Sequence, residues 1–317
     1  MDQLLSRCWA WLCLTLCLWM VAAQAQAQTA LAQGAAAPHV GASGHAGANG
    51  ATQPNAALPV SPGTTPCARP LYLTFDTGHM GVADLIADVL RRQHVRATFF
   101  AAHEPTQVGD GSLGEHWAPW WRERAAEGHA FASHTHDHTY WKADLPGGRF
   151  RVRASAGPDK NKTRDWGADQ YCQEITRARD RLQAITGKPP LPLFRAPGGK
   201  TSPALLSAAR ACGFAHVGWA PAGFLGDELS SQTHPNAQLL QTALANIRSG
   251  DILMAHLGIW SRQDPWAPAV LEPLIVGLKQ KGFCFVTLRE HPQFAAHVRQ
   301  AAEGRASTTL ARASGVP

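Results

Sequence analysis

The chain has 317 residues, of which 45% are hydrophobic and 16% charged, with 29 Gly and 22 Pro. Those figures suit a globular protein with one main domain and many loops, and they exclude disorder throughout. The net charge of +6 comes from scattered Lys and Arg with no basic run interleaved with aromatics, which argues against nucleic-acid binding.

The chain opens with Arg7 ahead of an apolar run from Cys8 to Ala23, then small residues at Ala23, Ala25 and Ala27 alternating with Gln. This pattern predicts a signal peptide over residues 1–27. The run is short for a ~20-residue membrane span, so no stable span is expected after cleavage. The mature protein is expected to be exported, to the periplasm or beyond. Cys8, Cys13 and Cys17 leave with the signal peptide, and Cys67, Cys172, Cys212 and Cys284 remain. Residues 28–66 are Ala, Gly, Gln, Pro, Ser and Thr with few large apolar side chains, the composition of a flexible linker.

From Cys67 onward, short apolar runs alternate with helical patterns. LYLTF at 71–75 reads as a strand and GVADLIADVLRRQ as a helix, with Val82, Leu85, Ile86, Val89 and Leu90 at helical spacing. RATFFAA (96–102) and AFASH (130–134) are further strands separated by the helix WAPWWRERAAEGH. Residues 142–167 read as a charged, Gly-containing loop. A helix then stops at Gly187, PLPLFRAPGG carries a strand ending on Arg195, and Ser202–Pro203 opens another helix. FAHVGW, NAQLLQTALANIRSG, DILMAHLG, VLEPLIVGLKQKG and FCFVTL continue the alternation to Leu288. This order predicts a parallel sheet closed as a barrel or near-barrel over residues 67–297, followed by a disordered tail at 298–317.

Cys67 precedes the first strand and Cys284 opens the last. Closing strands of a parallel barrel begin at one end, so these two are expected to pair. Cys172 begins a helix and Cys212 ends one, so they are expected to lie at opposite ends and stay free.

In such folds the loops after the strands form the working face. The polar residues just after the apolar runs are Asp76 and Thr77, His134 and His138, Arg195, Trp219, and His256. His134 and His138 stand at i and i+4, which on a helical turn puts both imidazoles on one face, a spacing suited to a metal that prefers nitrogen ligands. A protease HExxH reading fails because Thr135, not Glu, follows His134. Taken singly, Asp76 is a turn former, His256 a core histidine and Arg195 a surface charge; the informative feature is the set.

That set resembles the polysaccharide deacetylase family, the NodB-homology carbohydrate esterases, over roughly Cys67 to Pro292. TFDTG, HTHDH, RAPGG, a Trp-containing strand and ILMAH follow the family order TFDDG, H-(S/T)-x-x-H, R-x-P-Y/F-G, Trp-Asp and L-x-H. The resemblance implies an irregular α/β fold, a (β/α)7-8 barrel of the NodB-homology type. It implies Asp76 as catalytic base, Arg195 as its holder, His256 as general acid, and His134 and His138 as ligands of a divalent metal, with Zn the first choice and Co or Mn alternatives. The implied reaction is hydrolysis of N-acetyl or O-acetyl groups on a sugar, a hydrolase acting on carbon–nitrogen bonds other than peptide bonds. On chemical grounds the Gly198 N–H is a candidate oxyanion donor, and Leu253 and Trp219 are candidates for an apolar slot around the methyl group.

Three positions depart from the pattern. Thr77 stands where an aspartate completes the metal site, Gly198 replaces an aromatic, and no aspartate follows Trp219. Asp227 is a candidate to orient His256 instead, and His79 and Asp137 are the candidates for a third metal ligand. A catalytically impaired carbohydrate-binding protein on the same fold is the alternative, but such a protein needs no acid and base at fixed positions. A glycosidase needs two rim carboxylates flanking one bond. The expected substrate is an acetylated polysaccharide such as peptidoglycan, a chitin-like oligomer or an exopolysaccharide.

Overall fold

The apolar runs after Cys67 form a curled parallel sheet in the computed structural model, which describes residues 67–262 and 264–313. The signal-peptide and linker expectations lie outside the described residues. Strand β1 (Pro70–Asp76) leads to α1 (Ala83–Arg92), β2 (Thr98–Ala101), α2 (Ala118–Ala126) and β3 (Ala130–Ser133). An insertion carries β4 (Thr139–Leu145), β5 (Arg149–Ala154) and β6 (Thr163–Trp166) ahead of α3 (Ala168–Thr186). The alternation resumes with β7 (Leu193–Phe194), α4 (Pro203–Ala211), β8 (Ala215–His216) and α5 (Asn236–Asn246). It closes with β9 (Ile252–His256), α6 (Leu271–Gln280), β10 (Cys284–Phe285) and α7 (Pro292–Ala313).

The seven-stranded sheet runs β10-β1-β2-β3-β7-β8, with β9 added on β1. Closure is irregular. The segment after β8 lies along β9 through a parallel bridge between Phe224 and Met254 rather than through a full strand.

Side chains alternate along each strand, so one face looks into the barrel and the other toward the helices. In β1, Leu71, Leu73 and Phe75 pack with Ile86, Val89 and Leu90 of α1 in the layer under the helices. Tyr72 joins Phe100, Ala132, Leu193, Val217 and Ile252 in the interior. Burial of side chains of this size stabilises by roughly 1.5–3 kcal/mol each, and it fixes register, because a one-residue slip would turn every side chain to the wrong layer. The same register aligns the strand ends. Asp76 pairs with Phe100 on one side and His256 on the other, Ala101 with Ser133, and Ser133 with Phe194. Asp76, His134, Arg195 and His256 therefore leave the sheet at one rim.

The structure corrects the sequence reading in three places outside the site. Residues 142–167 are not a loop: β4, β5 and β6 form a three-stranded antiparallel sheet. RFRVRA in β5 alternates exposed and buried residues, placing Phe150 and Val152 against Tyr171 and Phe194. That period-two signal was visible in the sequence, but hidden by the flanking charge and glycines. Residues 298–313 of the expected tail continue α7, with Phe294 and Val298 seated on the interior cluster, while residues 314–317 lie outside the described residues.

Cys67, Cys172, Cys212 and Cys284 form two bonds, not the single one expected. Cys67 and Cys284 are bonded as expected, with Cα atoms 5.8 Å apart, next to the Pro70–Cys284 pairing that opens β1 and β10. Cys172 and Cys212 are also bonded, at a Cα distance of 6.1 Å. The expectation that they lie apart assumed helices spanning the full barrel. Helix α4 has only nine residues and flanks two-residue strands, so its C-cap meets the first turns of α3. Peptide mapping of the unreduced protein is expected to return both linkages. Replacing Cys67 and Cys284 by Ser, which opens a separation of 217 residues, should cost about 2–5 kcal/mol in denaturant unfolding.

Candidate active site

Asp76 ends β1 almost fully buried, and its partner is Arg195, which follows β7. Arg195 donates from Nη1 to Asp76 Oδ1 at 2.7 Å, from Nε to the Val217 carbonyl at 3.3 Å and from Nη2 to the Gly218 carbonyl at 3.3 Å. Its guanidinium lies 4.2 Å from the Phe100 ring centroid. A buried charge needs such a set of partners, and here the set fixes the carboxylate in one orientation. Burial alone would raise the Asp76 pKa, but Arg195, then His134 and His256, outweigh it and hold the group below the usual carboxylate range.

His256 ends β9 in register with Asp76. The two are neighbours on adjacent strands. Asp227 accepts from the His256 backbone N–H at 2.7 Å and sits 3.1 Å from Nδ1, so Nδ1–H points at the carboxylate and Nε2 is left toward the cleft. Burial would lower the imidazole pKa, yet the Asp227 charge and hydrogen bond, helped by Asp76 and Glu228, raise it to about 9. Asp227 thus holds both the backbone and the ring of His256. Asp76 is held ionised and His256 protonated at the same pH, the kind of separation on which acid–base catalysis depends.

His134 and His138 come together differently from the helical turn expected. They flank a tight turn in which Thr135 and His138 both have positive φ, 58° and 47°. Their rings meet edge to face with centroids 4.8 Å apart. Buried Glu174 of α3 clamps this turn: its backbone carbonyl accepts from His136 N at 2.9 Å and its Oε2 from Asp137 N at 2.8 Å. Thr135 Oγ1 accepts from Thr139 N at 2.8 Å. Non-glycine residues in the left-handed region persist only where the surroundings over-determine them, and those bonds do so here.

The donor set fits a cation. The His134 Nδ1–H faces the Arg195 carbonyl at 2.9 Å, which leaves Nε2 with a lone pair 3.5 Å from Asp76 Oδ2. Burial lowers the His134 pKa to about 4, so at neutral pH two electron-pair donors face each other without a proton between them. His138 Nδ1 lies 2.6 Å from Ser155 Oγ, which itself donates to the His138 carbonyl. The Ser155 oxygen is then the acceptor, and the His138 Nε2 lone pair is likewise free. Among the described residues no three His, Cys, Asp or Glu side chains already converge on one point.

Asp76, His134, His138, Gly198, Trp219 and His256 all line one cleft of about 470 Å³. Leu253 does not. It is fully buried in the layer under the helices, and Met254, one residue on and on the opposite face, lines the cleft instead. His79 faces a smaller cavity of about 200 Å³ beyond His256, where its Nδ1 accepts from Gly81 N. Asp137 is tied to His136 at 2.8 Å and Arg177 at 3.2 Å, away from the cleft. Neither is placed to serve as a third ligand.

Several cleft residues escaped the sequence reading: Glu104, Tyr140, Ser155, Glu228 and Trp260. Tyr140 lies against the backbone of Gly198. Gly198 has φ 63°, and a Cβ there would lie 3.0 Å from Tyr140 Cε1. The aromatic that RAPGG lacks is delivered over the same backbone from β4.

Residues 63–217 match the family model described as polysaccharide deacetylase. The chain is 25% identical over 228 residues to a chitooligosaccharide deacetylase of Azorhizobium caulinodans, covering 69% of this chain and 92% of that one. Among solved structures it resembles a family 4 acetyl xylan esterase from Clostridium thermocellum in complex with a cobalt ion. The TM-score is 0.54 and the identity 21%, over 72% of this chain and 91% of that one. It also resembles a peptidoglycan N-acetylglucosamine deacetylase, at TM-score 0.52 and 23% identity over 72% and 90% of the two chains.

Proposed function

We propose, for a chain that belongs to the polysaccharide deacetylase family, the metal-dependent hydrolysis of acetyl groups from an acetylated polysaccharide outside the cytoplasm. The observation that carries this reading is the pair Asp76 and His256. One is held ionised by Arg195, the other protonated by Asp227, and both lie at the floor of one cleft. A carbohydrate-binding protein gains nothing from that arrangement.

Asp76 Oδ2, the oxygen not bound by Arg195, takes a proton from the attacking water. His256, its Nδ1–H fixed by Asp227, gives the Nε2 proton to the departing amine, or to the alcohol of an ester. Arg195 stays buried and charged throughout, holding the carboxylate still. A divalent cation held by His134 and His138, with zinc our first choice and cobalt or manganese the alternatives, supplies when bound a polarised acyl oxygen and a more acidic water.

The walls suit a sugar. Trp219 and Tyr140 line the cleft, and Trp260 stands at its mouth with 66% of its surface exposed. An exposed tryptophan at a cleft mouth is a platform on which a pyranose ring can stack. Peptidoglycan, chitin-like oligomers and exopolysaccharides all offer such rings bearing acetyl groups. The leader-like start of the sequence supports export.

The test is acetate release from a panel of N- and O-acetylated glycans, before and after chelation and with Zn²⁺, Co²⁺ or Mn²⁺ restored. Turnover is expected on at least one glycan, lost to chelator and regained with one of these ions. Release that survives complete chelation, or none from any glycan, overturns the reading.

A further inference from the structure

We propose that Glu104 supplies the anionic metal ligand at the position where Thr77 has no carboxylate, and that Thr77 is the positioning residue that holds it there. The inference rests on the reading of His134 and His138 as ligands of a divalent cation.

Thr77 follows β1 directly, and its hydroxyl is fully committed. Oγ1 accepts from Ala102 N at 3.1 Å and donates to Glu104 Oε2 at 2.6 Å. A hydroxyl so engaged points its proton at a neighbouring carboxylate, not at the cleft, so Thr77 is a poor ligand in its own right. Glu104 lies just beyond β2, the strand paired with β1, so the rim brings it beside Thr77. Its backbone is pinned by Ser112, which accepts from Glu104 N at 2.9 Å through Oγ and donates from its own N–H to the Glu104 carbonyl at 2.9 Å. The adjacent His103 N–H donates to the His136 carbonyl at 2.7 Å, which ties this segment to the turn carrying His134 and His138.

The other carboxylate oxygen, Oε1, is 3.8 Å from His138 Nδ1, and Glu104 lines the cleft with both histidines and Asp76. Oε1 is the carboxylate oxygen that Thr77 leaves free, and in this proposal it joins the Nε2 lone pairs of the two histidines around the cation. A hard oxygen anion added to two imidazole nitrogens makes a His₂–carboxylate donor set with positions left for water and substrate. The substitution at 77 thus moves the negative charge one strand along the rim instead of deleting it.

Calorimetric titration with Zn²⁺, and Co²⁺ titration followed by visible absorption, test this on the chelated protein. Wild type is expected to bind one equivalent. Glu104→Gln keeps an acceptor for Thr77 but loses the charge. It is expected to weaken binding by at least about 100-fold, since even groups one step removed from a metal cost 10- to 100-fold. Thr77→Val, which releases Glu104 without removing it, should weaken binding by about 10-fold on the same scale. Thr77→Asp in the Glu104→Gln background should restore affinity and the Co²⁺ spectrum. Thermal unfolding of each metal-free variant identifies any that fail to fold, and the rescue variant carries the test if Glu104→Gln is among them.

Affinity of Glu104→Gln within twofold of wild type overturns the assignment and leaves a structural carboxylate, as does failure of the double variant to recover. A wild type that binds no divalent ion removes the metal centre and this ligand together. Glu104-dependent binding without acetate release from any glycan would sink the proposed activity and leave the ligand in place.

Discussion

Asp76→Asn is expected to lower kcat for acetate release by about 10³-fold, within the range that a positioned acid or base contributes, while the variant still folds. The amide keeps the shape of the carboxylate and an oxygen for Arg195 Nη1, but it cannot accept the proton of the attacking water. It also strips the negative charge from a pair in which Arg195 is fully buried and Asp76 nearly so. Leaving a buried charge uncompensated typically costs 3–5 kcal/mol, and the retained hydrogen bond puts the expected loss near the lower end, about 3 kcal/mol. The pH dependence separates this from general damage. Because the folded pKa of Asp76 is depressed, its contribution to stability is complete above the unfolded value near 3.9. It is lost as pH falls through the folded value. Wild type should therefore lose stability toward acid more steeply than Asp76→Asn. Paired measurements of kcat and of unfolding between about pH 3 and 7 check both limbs. Unchanged kcat rules Asp76 out as the base.

The contrast between Asp76 and Glu104 shows what the sequence made legible. Asp76, His134, His138, Arg195 and His256 each follow an apolar run, so strand ends marked them as a set, and the parallel pairings of β1 with β9 and β2, β2 with β3 and β3 with β7 brought them to one rim. Glu104 also lies just beyond a strand, but nothing local distinguishes it from a solvated acid. Its relevance depends on the contact with Thr77, 27 residues away, which only register supplies. Tyr140 was hidden for a related reason: it belongs to an antiparallel insertion whose pairing is independent of the barrel alternation. The Leu253 error was one of phase. Strand periodicity says that neighbours face opposite layers, and His256 in the cleft puts Met254, not Leu253, beside it. The Cys172–Cys212 bond could not be read from helix order because helix length, not order, decides whether a first turn and a last turn come level.

Asp227→Asn is expected to move the basic limb of the kcat/KM profile down by more than two pH units. Asp227 supplies the largest upward influence on His256, working against burial, and brings the imidazole to about 9. Asparagine can still accept from the His256 backbone N–H, so the strand end keeps its shape. With the charge gone, however, burial has little to oppose it, and the pKa should fall to or below the ordinary imidazole value near 6.5. At pH 8 the protonated fraction, and with it the rate, should then drop by about 30-fold. Near pH 5.5 wild type and variant should differ far less. A cation bound beside Asp76 shifts both profiles downward, so the diagnostic quantity is the separation between the two, measured with the same ion. The stability linkage has the opposite sign to that of Asp76. A raised histidine pKa stabilises the fold fully below about 6.5, and that stabilisation is lost as pH rises through about 9. Wild type should accordingly become less stable between those values while Asp227→Asn stays nearly flat. A basic limb that does not move when Asp227 loses its charge would show that a different group delivers the proton to the leaving atom.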